Sequence, residues 1–106
     1  MRTVCIESPL AGDFATNIAY ARACLRYCLE RGVSPYVSHL LLPQVYDDLD
    51  VEQRETGIAA GLVMGNLCES RWFFVDLGMS RGMKRARDAA ISRGQWLMDV
   101  ELGPDW

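Results

Sequence analysis

The chain has 106 residues and a net charge of −3; half of the residues are hydrophobic and 24% are charged. That length suits one domain, residues 1–106, with a core of modest size, so self-association is an expected way to cover more apolar surface. An acidic balance excludes a general nucleic-acid binder, which carries a basic face, but leaves room for a local basic pocket.

No apolar run approaches the ~20 residues that span a bilayer. The opening MRTVCIESP turns polar too early for a secretory signal. The four cysteines, Cys5, Cys24, Cys28 and Cys68, form no C-x-x-C pair, and the only histidine is His39. Such spacing does not make a zinc site. The cysteines read as reduced, mostly buried thiols of a cytoplasmic protein. No metal or cofactor is expected.

In chain order, TVCI (Thr3–Ile6) is β-branched and apolar and predicts a buried strand entering a Ser-Pro-Gly loop. NIAYARACLRYCLERG predicts a helix. Ile18, Ala21, Leu25 and Cys28 share one face with Cys24 and Leu29 beside them, and Gly32 marks its end. SPYVSHLLL predicts a second strand running into a loop, and PQVYDDLD an acidic turn. Asp50 is placed to cap a helix from Val51, with Glu52 and Glu55 suited to its dipole. That helix carries Gly57, Gly61 and Gly65, one per turn on one face. Helix-interior glycines cost roughly 1 kcal/mol each relative to alanine. A close approach to the sheet or to another subunit is the expected compensation. WFFVD predicts a third, buried strand, RGMKRARDAAISR a helix closed by Gly94, and QWLMDV a fourth strand. Strands alternating with helices imply an α/β fold with a mainly parallel sheet of about four to five strands, covered on both faces.

Ligands of such sheets bind outside the carboxyl ends of the strands. Three loops lie there: Ser8–Asp13, the segment with Ser38 and His39, and Asp76–Met83. Their glycines admit close backbone approach, and a helix start offers N–H groups to an anion. VDLGMSRGMKRARDAA also places Arg81, Lys84, Arg85 and Arg87 at a helix start, where cations oppose the dipole. At 100° per residue they cannot all face one ligand, so most form a solvated face, Lys84 pairing with Asp88. Ser80 can cap that helix or bind an anion. His39 is either a hydrogen-bonded structural residue or a site residue. Asp13 and Asp76 are either a cap and a strand end, or ligand contacts. Trp72 and Phe73 read as core, and Trp106 as a loose terminus or a subunit contact.

The run SPLAGD…NIAYARACLRYCLERG…PYVSHLLLPQ…EQRETGIAAG…DLGMSRGMKRARDAA resembles the nucleoside 2-deoxyribosyltransferase-like superfamily. Within it, the chain is most similar to the small phage and bacterial branch of DUF7768- and DUF4406-like domains. The resemblance covers roughly Val4 to Val100, carried by S-P-x-x-G-D, P-x-x-x-H-L-L and G-x-S-x-G-M in that order. It implies a flavodoxin-like (Rossmann-like) fold and a homodimer or larger homo-oligomer. Characterised members cleave or exchange the N-glycosidic bond of deoxyribonucleosides or their monophosphates. By resemblance, Ser80 and Gly82, with the neighbouring Gly78 and Met83, bind the 5′-phosphate. Ser8, Gly12 and Asp13 lie by the sugar and phosphate. The family's catalytic glutamate falls six residues after that serine, and here the position is Ala86.

Alanine can neither attack an anomeric carbon nor stabilise an oxocarbenium ion. Three readings follow. The chain binds a nucleoside phosphate, or a phosphoribosyl metabolite or signal, without the glycosidic chemistry. Alternatively, it is an active N-glycosidase or deoxyribosyltransferase with a relocated carboxylate: Asp13, Asp76 or Glu7. Alternatively, it is a phage-encoded interaction protein with inherited loops.

Overall fold

The computed structural model describes residues 1–106. Four strands form one sheet in the order β2-β1-β3-β4, with every pairing parallel. They are β1 (Thr3–Glu7), β2 (Ser34–Tyr36), β3 (Ser70–Phe74) and β4 (Trp96–Val100). The helices are α1 (Phe14–Glu30), α2 (Ser38–Leu41), α3 (Val51–Leu67) and α4 (Arg81–Arg93). This is a flavodoxin-like, Rossmann-like α/β arrangement. After β2 the chain crosses β1 to build β3 on the other side, so the strand order reverses between β1 and β3. No helix is long and apolar enough to cross a membrane.

Side chains alternate across each strand. On one face Val4, Ile6, Trp72, Phe74 and Val100 pack against Tyr20, Ala21, Cys24 and Cys28 of α1. On the other, Phe73 meets Met83 and Ala86 of α4, with Leu62 of α3 and Leu97 beside them. Trp72 and Phe73 are both core, on opposite faces.

Side-chain caps fix where the long helices start. Asp13, Asp50 and Ser80 accept from the N–H groups of Thr16, Gln53 and Met83. Gly94 closes α4 at φ 67°, a left-handed conformation that costs glycine nothing.

Several details differ from the expectations. SHLLL is helical: α2 and a 3-10 turn over Leu42–Gln44 follow β2 directly. A short apolar run carries no period that distinguishes a strand from a helix turn. Leu29 is exposed, because α1 turns its Tyr20, Ala21, Cys24 and Cys28 edge inward. Lys84 forms no ion pair with Asp88; Arg87 instead binds Asp99 at 2.6 Å and Arg85 reaches Glu55 at 3.9 Å. Trp106 folds back onto Tyr20, ring centroids 4.9 Å apart.

The α3 glycines face inward. A Cβ on Gly65 would come within 2.6 Å of the Arg71 guanidinium, so only glycine lets helix and guanidinium approach this closely. At Gly61 the neighbour is Ser38 at 3.4 Å, and at Gly57 it is Leu42 at 3.8 Å. At Gly65 the close approach is therefore made within the chain, whereas Gly57 and Gly61 are in ordinary contact.

Candidate functional site

A cavity of about 90 Å³ opens at the carboxyl ends of β1 and β2, beside the start of α4 and under the glycine face of α3. Glu7 reaches it from the end of β1 and Ser8 from the residue after it, Ser38 and His39 from α2, and Gly82 and Met83 from α4. It lies beside the strand-order reversal, where open α/β sheets bind ligands.

Glu7 stands in this cavity because Arg71 holds it there. Arg71 is fully buried, and every nitrogen of its guanidinium has a partner. Nε donates to Gln95 Oε1 at 2.9 Å, and Nη1 to Glu7 Oε1 at 3.2 Å. Nη2 donates to the Leu62 carbonyl at 3.2 Å and to Asn66 Oδ1 at 2.7 Å. Gln95 in turn donates to the carbonyls of Gly65 and Cys68, tying the end of α3 to the sheet. The Cys5 thiol donates to Glu7 Oε1 at 3.7 Å. Both contacts fall on one carboxylate oxygen, which leaves Oε2 free of protein partners. Burial raises the Glu7 carboxyl from 4.5 to about 7, against the opposing pull of Arg71. Its proton is therefore exchangeable near neutrality.

Ser8 is 1% exposed, and its Oγ is the one buried side-chain oxygen or nitrogen without a hydrogen-bond partner. Such a group costs about 1–3 kcal/mol unless something satisfies it. The Ser8 carbonyl is satisfied: His39 Nε2 donates to it at 2.7 Å. Burial holds the His39 pKa below its usual value. The neutral ring with its proton on Nε2 presents Nδ1 as an acceptor.

Of the residues singled out in the sequence, Glu7, Ser8, His39, Gly82 and Met83 meet in this cavity. Ala86 lines it too, as a buried methyl group. Gly12 borders an adjoining cavity. Asp13, Asp76, Gly78 and Ser80 do not line the inner cavity. Asp13 is exposed and caps α1, its pKa lowered by the Thr16 side-chain and backbone hydrogen bonds. Asp76 accepts from the Tyr20 hydroxyl and from the N–H groups of Leu102 and Gly103, pinning the C-terminal segment. Burial would raise its pKa, but these donors outweigh that and lower it. The Ser80 hydroxyl is engaged by Met83 N–H at 3.2 Å as the helix cap.

Sequence reasoning passed over Arg71, Asn66, Gln95 and the wall formed by Tyr46, Asp47, Asp48 and Arg54. One signal for Arg71 was present: a glycine on every turn of α3 asks for a bulky partner, and Arg71 is the second residue of the most buried strand. No group of three or more His, Cys, Asp or Glu side chains gathers as a metal site.

No curated protein matches the chain. A family model described as a domain of unknown function (DUF7768) matches residues 2–99. The match spans all four helices, the four strands up to Asp99 in β4 and every residue of the cavity, and the chain belongs to the DUF7768 family.

Proposed function

We propose that this protein binds a nucleoside phosphate, or a related phosphoribosyl metabolite, in the crevice between the end of β1 and the start of α4. On this reading it lacks the glycosidic chemistry that the deoxyribosyltransferase resemblance implies. The observation that carries the reading is Ser8: a buried hydroxyl without a partner, lining a cavity beside the strand-order reversal. Ala86 supports the absence of that chemistry, since a methyl group occupies the wall where the resemblance puts a carboxylate. An anion fits at the α4 start, where Ser80 satisfies only the Met83 N–H and leaves those of Arg81 and Gly82 for a ligand. Thermal-shift measurements across nucleosides and nucleotides test it. A ligand at 100 times its Kd stabilises by about 2.7 kcal/mol, a shift of many degrees for a domain of this size. A flat response to every nucleotide sinks the reading.

Glu7 favours a second reading. Among the three candidate carboxylates it alone lines the inner cavity, with one oxygen held and the other free. A carboxyl near neutrality suits acid–base work on an N-glycosidic bond. Release of free base from deoxynucleosides or their monophosphates, abolished in Glu7→Gln, is its expected signature; intact substrate at high protein concentration removes it.

We also propose that the chain is a homo-oligomer. The outer face of α3 exposes Val63, Met64 and Leu67 beside Ala59 and Ala60. A helix apolar on both long faces is built to be covered twice. A second copy, packing its own small and large residues into these, is the occupant we assign. Sedimentation velocity of the parent and of Val63→Glu reads it, a monomeric parent being the contrary result.

A further inference from the structure

The inner cavity does not end at its mouth. A second cavity of about 530 Å³ continues from it, the two sharing Leu10, Pro43, Tyr46, Asp47 and Asp48 as lining residues. The inner compartment holds a small polar group at most. The outer one falls within the ~300–1,000 Å³ of ordinary small-ligand sites.

The two ends differ in chemistry. At the inner end are the unpartnered Ser8 hydroxyl, the free oxygen of Glu7 and the N-terminal turn of α4. Around the outer compartment stand the rings of Phe14 and Tyr46, from segments far apart in the chain. Both rings are about half exposed, 50% and 44%. Partly exposed aromatic side chains on a cavity wall offer a flat ring a partner for stacked or edge-to-face packing. Between the compartments lies Asp48, which takes part in none of the three ion pairs and has no hydrogen bond within the chain. Asp47 uses one carboxylate oxygen on the Leu49 N–H and keeps the other. Arg54 lines the inner compartment and also has no ion-pair partner.

We propose that the outer compartment receives a flat heteroaromatic ring bearing an exocyclic amino group, with Asp48 accepting the amino hydrogen bond. This rests on the nucleotide reading above and adds the class of base to it. The discrimination follows from hydrogen-bond inventory. An ionised carboxylate only accepts, so an amino group pairs with it, whereas a ring carbonyl in the same place sets acceptor against acceptor. Hydrogen bonds to charged groups are the stronger kind, and an unmatched pair loses both the bond and the hydration of its partners.

The test is calorimetric titration of the full chain with two pairs of 5′-monophosphates, adenosine against inosine and cytidine against uridine. Each pair differs chiefly in an amino group replacing a carbonyl. The amino member should bind at least about tenfold more tightly. Asp48→Asn should remove that preference, and Phe14→Ala should weaken both members of each pair alike. Asp48 makes no hydrogen bond or ion pair and Phe14 is half exposed, and the melting temperature of each variant checks that it stays folded. Equal binding of the two members by the parent overturns this inference and leaves the nucleotide reading standing. So does a preference that survives Asp48→Asn, or full affinity in Phe14→Ala. Absence of binding by all four nucleotides overturns the nucleotide reading, and this inference with it.

Discussion

On the α1 side of the sheet, Val4, Ile6, Trp72 and Phe74 close against Tyr20, Ala21, Cys24 and Cys28 in one continuous apolar core. On the α3–α4 side, the same strands present Cys5, Glu7, Arg71 and Phe73, and the apolar core shrinks to Phe73, Met83 and Ala86. A charged network and a cavity occupy the remaining space. The difference separates two tasks. Non-directional burial on one face supplies stability. On the other face, fixed hydrogen bonds hold a carboxylate and a hydroxyl at defined positions, which an apolar core cannot do.

The sharpest way to break this contrast is Arg71→Ala. It leaves Glu7 without its buried partner and removes the filling under Gly65, so a loss of about 3–5 kcal/mol is expected. Chemical unfolding reads it; a variant as stable as the parent would show that the network anchors nothing. Ile6→Ala, on the apolar face, should cost a comparable 2–5 kcal/mol, roughly, while leaving ligand affinity unchanged.

Next in size is a pH effect carried by Glu7. Its carboxyl titrates at about 7 in the folded chain against an ordinary 4.5, so the folded state holds the proton more tightly. The associated stability is fully present below about pH 4.5 and is lost as pH rises towards 7, about 3 kcal/mol in all. Denaturation of parent and Glu7→Gln at several pH values isolates it. Parallel stability curves through that window would mean that Glu7 is an ordinary carboxylate.

The smallest of these effects on stability should come from Ser8→Ala. Its hydroxyl has no partner to lose and its unsatisfied burial is relieved, so the ligand-free protein should be stabilised by about 1–3 kcal/mol. Affinity for whatever ligand the thermal screen identifies should fall severalfold. Unchanged affinity would remove Ser8 from the site.

The alternation of strand and helix was legible because each long element has its own period and its own cap, as at Asp50, Ser80 and Gly94. The helical SHLLL was not, since a short apolar run carries no period. Among candidate site residues, Glu7, Ser8 and His39 were legible as strand-end groups. The separation of Glu7 from Asp76 was not. Both follow apolar strands, and only tertiary neighbours divide them: Arg71 sets Glu7 at the cavity, whereas Tyr20, Leu102 and Gly103 occupy Asp76. Arg71 itself was hidden because a charge beside a strand ordinarily means solvent. The walls at Tyr46 and Asp48 belong to a segment whose acidic, turn-rich composition shows no direction in space.

Gly57 and Gly61 leave a trace of a different sort. Unlike Gly65, they have room for a methyl group: the nearest atoms to an added Cβ lie 3.8 and 3.4 Å away. Alanine at each would favour the helix by roughly 1 kcal/mol. It would also narrow the cavity that both residues line. The width of the crevice is thus set by side chains that are missing, and the helix stays looser than it needs to be so that the space beneath it remains open.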